Sequence, residues 1–180
     1  MSRINSINKE NANPKALEIL TAVNKALGIV PNMVSTMAQS PAVAKAYVAF
    51  NQALSQGSLS AKIRERIALV VAEENSCDYC LAAHTFLGEK AGLSEDEVLN
   101  ARRGSSEEPE VAAALAFASK IVQERGQVTD ADIAALRQHG FTDGDITEII
   151  ANVVLNIFTN YFNIAAGTEI DFPVAPALTA

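Results

Sequence analysis

The sequence predicts an all-α protein, and three observations predict it. No segment alternates apolar and polar residues as a half-buried strand would, and alanine and leucine dominate the apolar set. Helix-start chemistry recurs: Ser94 with Glu97, Thr129 with Asp132 and Thr142 with Asp145 each place a hydroxyl cap three residues before an acid. Apolar residues bracket each pair (Leu93 with Val98, Val128 with Ile133, Phe141 with Ile146), as a hydrophobic staple requires. Finally, Gly28, Gly57, Gly92, Gly104, Gly126, Gly140 and Gly167 fall where helices would stop.

In order, these signals predict helices over 14–27, 33–39, 41–56, 60–74, 77–91, 94–103, 108–125, 129–139 and 142–166, about eight to nine in all, with no sheet. The first closes at Gly28. Met33 and Met37, at helical spacing in the second, read as core residues rather than a substrate slot. The third closes at Gly57. In the fourth, Glu65, Leu69 and Ala72 share one face, so a carboxylate begins an apolar stripe. Asn75 and Ser76 are good caps, so the fifth helix begins at Cys77 and closes at Gly92. The sixth ends at Gly104, where "GSSEEPE" makes a short exposed linker to the seventh. The eighth ends at His139, which reads as a residue capping a helix C-terminus and meeting its dipole.

The last helix carries two stripes. Ile146, Ile149, Val153, Ile157, Tyr161 and Ile164 form an apolar face. Asn152, Asn156, Thr159 and Asn163 form an uncharged polar one, which reads as ordinary surface or core capping, as a subunit interface, or as the wall of an active site. The tail, "DFPVAPALTA", is proline-rich and expected to run extended or reach onto a neighbour.

A chain of 180 residues suggests one domain over 1–180, large enough to bury its own core without a disulfide. Within it, 1–56 is an N-terminal helical segment, 57–103 holds the two cysteines, 108–168 the C-terminal helices and 169–180 the tail. Apolar residues make up 49% of the chain, a surplus that a subunit interface would cover. The net charge of −7, with no basic cluster, argues against nucleic acid or an anionic membrane as partner. Residues 149–168 have the length to span a bilayer, but Asn152, Asn156, Asn160 and Asn163 would sit unpaired in hydrocarbon, so no membrane span is expected. The polar N-terminus lacks the apolar core of a secretory signal, and a cytoplasmic location follows by default. In that reducing setting a close cysteine pair is expected to bind metal or do chemistry.

Both cysteines and one of the two histidines lie in "ENSCDYCLAAH". On one helix, Cys77, Cys80 and His84 fall within roughly 60° of one face at about 100° per residue. A helix N-terminus supplies N–H donors and a positive dipole end, which favour a thiolate. Glu65 has two readings: it pairs with Arg64 or Arg66 or simply lies at a helix edge, or it accepts a hydrogen bond from His84 and orients the imidazole. A Cys-x-x-Cys pair alone also fits a zinc half-site, a redox pair or two core cysteines. A four-ligand zinc site usually needs a second pair of Cys or His; His84 and a carboxylate would have to complete it here, since His139 sits at a helix end. A thioredoxin-like motif belongs after a strand.

The composite is more specific than the pair. Glu65, eleven residues, Cys77, two residues, Cys80, three residues, His84, across "ERIALVVAEENSCDYCLAAH", resembles the signature of the carboxymuconolactone decarboxylase and alkylhydroperoxidase D-like family. "LGIVPNMVSTMAQSPAVAKAY" and "NIFTNYFNIAAGTEIDFP" look like segments of its longer, peroxidase-related members. The resemblance implies an alkylhydroperoxidase D-like helical bundle, without cofactor or metal, that forms homo-oligomers (a trimer, dimer or hexamer). It implies a thiol-dependent hydroperoxidase in which Cys80 is the peroxidatic thiol, Cys77 the resolving thiol and His84 the base, with Glu65 completing a proton relay. Tyr79 stands where relatives often carry His or Tyr, and its hydroxyl is expected either to donate to a thiolate or peroxide oxygen or simply to pack. The implied partners are a peroxide and an external thiol or disulfide reductase. Relatives with decarboxylase activity typically lack the cysteine pair. Rival readings are a non-redox lactone decarboxylase using Glu65 and His84, and a metal-binding helical interaction protein.

Overall fold

A computed structural model describes residues 2–178, and among them the regular structure is helical, with no strand. The helices are α1 (Pro14–Leu27), α2 (Asn32–Met37), α3 (Pro41–Ser55), α4 (Ala61–Glu74), α5 (Asp78–Lys90), α6 (Glu95–Arg102), α7 (Pro109–Gln123), α8 (Asp130–Gln138) and α9 (Asp143–Ala166). Each predicted helix is present, shortened mostly by its caps, which are half outside the helix. All three capping boxes form: the hydroxyls of Ser94, Thr129 and Thr142 accept from the backbone N–H of Glu97, Asp132 and Asp145, whose carboxylates accept from the cap N–H. His139 is the C-cap of α8, as expected.

Six of the predicted stops are glycines at positive φ, but Gly57 is not. Gly57 is there for space. A Cβ would overlap the carboxylate of Glu148, which accepts from the N–H groups of Ser58 at 2.9 Å and Leu59 at 3.2 Å. That clamp ties the entry of α4 to the first half of α9.

α4 is the axis of the fold. Residues 66–72 are all buried, so this helix is covered on every side, by α5, α6, α7 and α9. Two apolar clusters form about it. One joins Ile67, Leu69, Val70 and Val71 of α4 to α6, α7, α8 and the start of α9, through residues such as Val98, Leu115, Leu136 and Ile149. The other gathers α1, α2, the start of α3 and the two cysteines, with Leu20, Met37 and Tyr79 among its members. Buried Arg66 and Arg102 are paired, Arg66 with Glu97 and Glu108, and Arg102 with Glu73.

α9 is long and apolar enough to cross a membrane by length and composition, but half of its most apolar window is buried inside the chain. Its neighbours change along its length, and this corrects the expected faces. Ile146, Ile149 and Val153 are buried as expected, but Tyr161 and Ile164 are exposed, 58% and 45%. Asn152, Asn156, Thr159, Asn160 and Asn163 are the buried ones. The second half of the helix turns its amide face towards the cysteine cluster.

The tail runs extended but stays on its own chain. Asp171 accepts from the Asn32 N–H at 2.8 Å, Phe172 packs against Tyr79 and Phe86, and Arg102 donates to the Pro176 carbonyl at 2.5 Å. Of the two expectations for the tail, the extended course is the one described, with contacts to its own chain over 171–176.

Candidate active site

The site is built where α4 hands over to α5. Asn75 caps α4, Ser76 adopts φ 53°, and Cys77 N–H returns to the Ala72 carbonyl at 2.9 Å while Ser76 N–H bonds that of Glu73 at 3.0 Å. These two bonds make a Schellman turn, with serine in the left-handed position usually taken by glycine. The turn corrects the expected helix start: Asn75 and Ser76 end α4 rather than cap α5. Cys77 is itself the N-cap of α5, and Cys80 is its third residue, inside the first turn where the backbone N–H groups are unspent.

Gly88 lies one turn beyond His84, where a Cβ would press on Leu93 at 3.1 Å and meet the Cβ of Glu65 at an ordinary contact distance of 3.9 Å. Glu65, on α4, reaches His84 on α5: Nδ1 and Oε2 are 2.7 Å apart. A carboxylate only accepts, so Nδ1 carries the proton and donates. The alternative pairing of Glu65 with an arginine is overturned. Arg66 is engaged by Glu97 and Glu108, and Arg64 donates to the Leu59 carbonyl at 2.5 Å.

The two thiols are both buried and unlinked, yet they are electrostatically opposite. A hydrogen bond shared with Cys80, together with burial, pushes the Cys77 thiol far above the ordinary thiol range. Cys80 moves the other way. The bond from Cys77 lowers it most, burial opposes, and the positive field of His84 and the side-chain amides of Asn163 and Asn160 lower it further. Burial alone would depress His84, but the charge and hydrogen bond of Glu65 and the negative Cys80 outweigh it, so the imidazole sits above its ordinary value. The arrangement favours a thiolate at Cys80 beside an imidazolium at His84, with Cys77 as the protonated thiol.

Tyr79 is the one candidate the geometry draws away. Its hydroxyl donates to Asp171 Oδ1 at 2.8 Å and accepts from the Met33 N–H at 3.2 Å. With its proton committed to a carboxylate, it fastens the tail and α2 to α5 rather than addressing the sulfurs. Among the described residues, no three of His, Cys, Asp and Glu are grouped to hold a metal.

Four neighbours of the site were not among the expected site residues. Asn163 Nδ2 lies 3.2 Å from Cys80 Sγ and 3.2 Å from Met33 Sδ. Asn160, fully buried, accepts from Asn75 Nδ2 at 3.0 Å and acts on the same cysteine. The phenol of Tyr47, on α3, is raised by burial and by the negative fields of Cys80 and Glu65, which brings α3 into the site. For Asn163 the signal was the uncharged stripe of α9, one reading of which was an active-site wall; Asn160 lies outside that stripe as read. Met33 was marked by its spacing with Met37 as a core residue, and no local pattern marks Tyr47.

The sequence pattern of the carboxymuconolactone decarboxylase family matches residues 41–124, which hold Glu65, Cys77, Cys80 and His84. Among solved structures, a peroxidase-related protein from Ralstonia eutropha JMP134, described as an alkylhydroperoxidase AhpD core, is 30% identical, with a TM-score of 0.83 over 94% of this chain and 92% of its own. A peroxidase-related protein from Silicibacter sp. TM1040 is 28% identical, with a TM-score of 0.76 over 92% and 91%. The debrominase Bmp8, as its C82A variant with 2,3,4-tribromopyrrole, shares the fold at 19% identity and a TM-score of 0.81 over 95% and 92%. No curated protein sequence matches.

Proposed function

The chain belongs to the carboxymuconolactone decarboxylase family, and from that premise we propose that it is a thiol-dependent hydroperoxidase. The observation that carries the reading is the pairing of a thiolate-favouring Cys80 with a protonated Cys77 inside the Glu65–His84 constellation. A metal or packing role would not need the two thiols set apart in this way. The likeness to the debrominase supports the fold alone.

The cycle starts with the Cys80 proton on His84. The thiolate attacks the distal oxygen of the hydroperoxide. The S–O bond forms, the O–O bond breaks, and the leaving alkoxide takes the proton from the imidazolium, giving an alcohol and a Cys80 sulfenic acid. Cys77 then attacks the Cys80 sulfur, expelling water and forming the disulfide. Two external thiols reduce it and leave as their own disulfide. Cys80 is 2% exposed, whereas the side chains of His84 and Glu65 are 21% and 22% exposed, which favours entry of the peroxide past the imidazole.

The test is peptide mass spectrometry on fully reduced protein after one equivalent of an organic hydroperoxide. A Cys77–Cys80 disulfide, two hydrogens lighter, is expected. Thiols left unmodified while the peroxide persists would sink the reading.

We also propose that the protein is a homo-oligomer joined through α9. Ile150, Val154, Phe158 and Tyr161 follow one another at helical spacing on one side of that helix and are 38%, 49%, 41% and 58% exposed. An uncharged stripe of this kind is self-complementary across a two-fold axis, which favours a second copy of the chain as its cover. Val154→Glu puts a charge on the stripe without touching the core. Light scattering should then report the mass of a single chain, where the wild type gives a multiple of it. A monomeric wild type would refute the assignment.

A further inference from the structure

We propose that Asn163 and Asn160 form a two-amide cradle for the Cys80 sulfur, with Asn163 holding the thiolate and Asn160 placed to receive the oxygen the sulfur acquires. The thiolate part stands on geometry alone. The oxygen part rests on the hydroperoxidase reading.

The orientation of each amide is fixed by a partner that cannot play the opposite role. Met33 Sδ is a thioether and only accepts. The edge of Asn163 that faces both Met33 and Cys80, at 3.2 Å from each sulfur, is therefore its NH2. A flipped amide would set Oδ1 against the Met33 lone pairs. Two N–H groups serve two sulfurs, and Oδ1 is left buried without a partner. Asn160 is turned in the same way. Asn75 Nδ2 donates to its Oδ1 at 3.0 Å, so its NH2 is on the other side. That NH2 is buried with no partner at ordinary hydrogen-bond geometry, and it is close enough to Cys80 to help lower its thiol.

An unpaired donor in the interior costs free energy, and native structures rarely leave one without a reason. The reason here is the change at the sulfur. Oxidation adds an oxygen to Cys80, a strong acceptor held beside a donor that the bare sulfur leaves without a well-formed bond. Two amides carry no charge of their own, so they stabilise negative charge on sulfur or oxygen without competing with His84 for protons.

The test separates this from packing by reading the ionisation of Cys80. The pH profile of Cys80 alkylation by iodoacetamide is followed by mass spectrometry, which resolves it from Cys77 and needs no peroxidase activity. Asn163→Leu keeps the branched side-chain shape and removes the donor. The alkylation midpoint should rise by about one to two pH units, the size expected for a lost hydrogen bond to a charged group. Met33→Leu leaves Asn163 in place but frees its amide to turn, and should give a smaller rise. This swap is of the kind cores tolerate, so it decides the matter even if Asn163→Leu fails to fold. An unchanged midpoint in a folded Asn163→Leu protein, or in Met33→Leu where the first is unfolded, overturns the thiolate role.

The oxygen role is read separately, at a pH above the alkylation midpoint of every variant. There, with the thiolate fully formed, Asn160→Leu should slow the reaction of Cys80 with hydroperoxide about a hundredfold, the lower edge for one lost donor to developing charge. An unchanged rate removes Asn160 from the chemistry. If no variant and no wild type reacts with peroxide, the hydroperoxidase reading and the Asn160 role fall together, while the alkylation result for Asn163 still stands.

Discussion

Cys80→Ser should abolish peroxide turnover, and Cys77→Ser should allow one turnover and no more. The two thiols are three residues apart on one helix start, and only their surroundings tell them apart. Cys80 lies in the first turn of α5, shares a hydrogen bond with Cys77, receives the N–H of Asn163, and is next to the positive His84. Each of these favours sulfur as the anion, and the anion is the nucleophile. A serine hydroxyl in the same place stays protonated at any working pH and does not reduce an O–O bond, so a loss of at least about a thousandfold is expected, in line with removal of a covalent nucleophile. Cys77 is pushed the opposite way and stays a thiol until Cys80 has become a sulfenic acid. In Cys77→Ser, stopped-flow consumption of peroxide should show a burst of one equivalent per site and then stall, with the sulfenic acid trapped by dimedone. Full cycling in Cys80→Ser would end the assignment. A burst in Cys80→Ser and none in Cys77→Ser would reverse the two roles.

Much of this was legible in the sequence because it is written in local chemistry. The three capping boxes are formed by residues three apart, so the starts of α6, α8 and α9 depend on nothing distant. The Glu65, Cys77, Cys80, His84 spacing likewise spans one helix pair. What the sequence left open depends on tertiary contact. Whether Glu65 met an arginine or His84 turned on partners elsewhere in the chain, since Glu97 and Glu108 take Arg66 and the Leu59 carbonyl takes Arg64. Gly57 looked like another helix stop, and only Glu148, 91 residues later in the chain, explains it. The asparagine stripe of α9 was visible, but its direction was not. The helix is covered by one cluster at its start and by another at its end, so a single face read at constant periodicity misassigns Tyr161 and Ile164. Of the two readings of Tyr79, the structural one is favoured for the opposite reason. It stands between the cysteines in sequence, but a carboxylate 92 residues away takes its proton.

Glu65→Gln should move the acid limb of the pH–rate profile upward and lower the rate at pH 7 by about a hundredfold, the lower end of what general acid–base assistance contributes. The substitution is nearly isosteric. The Gln carbonyl can still accept from Nδ1–H of His84, so the ring keeps its orientation while the charge is lost. The sign follows from what holds each group. His84 is above its ordinary value because the charge and hydrogen bond of Glu65, with the negative Cys80, outweigh burial. Without the carboxylate charge, burial gains the upper hand and the imidazole becomes neutral at lower pH. Cys80 then loses a positive neighbour that helped to lower its own pKa, so more base is needed to form the thiolate. The rate should therefore fall at neutral pH and recover as pH rises and Cys80 ionises unaided. It should stop short of wild type, since a neutral His84 no longer protonates the departing alkoxide. A profile that keeps its midpoint but loses height would mean that Glu65 acts on the leaving group alone. A profile unchanged in both respects would remove Glu65 from the relay and leave its 2.7 Å contact with His84 a structural bond.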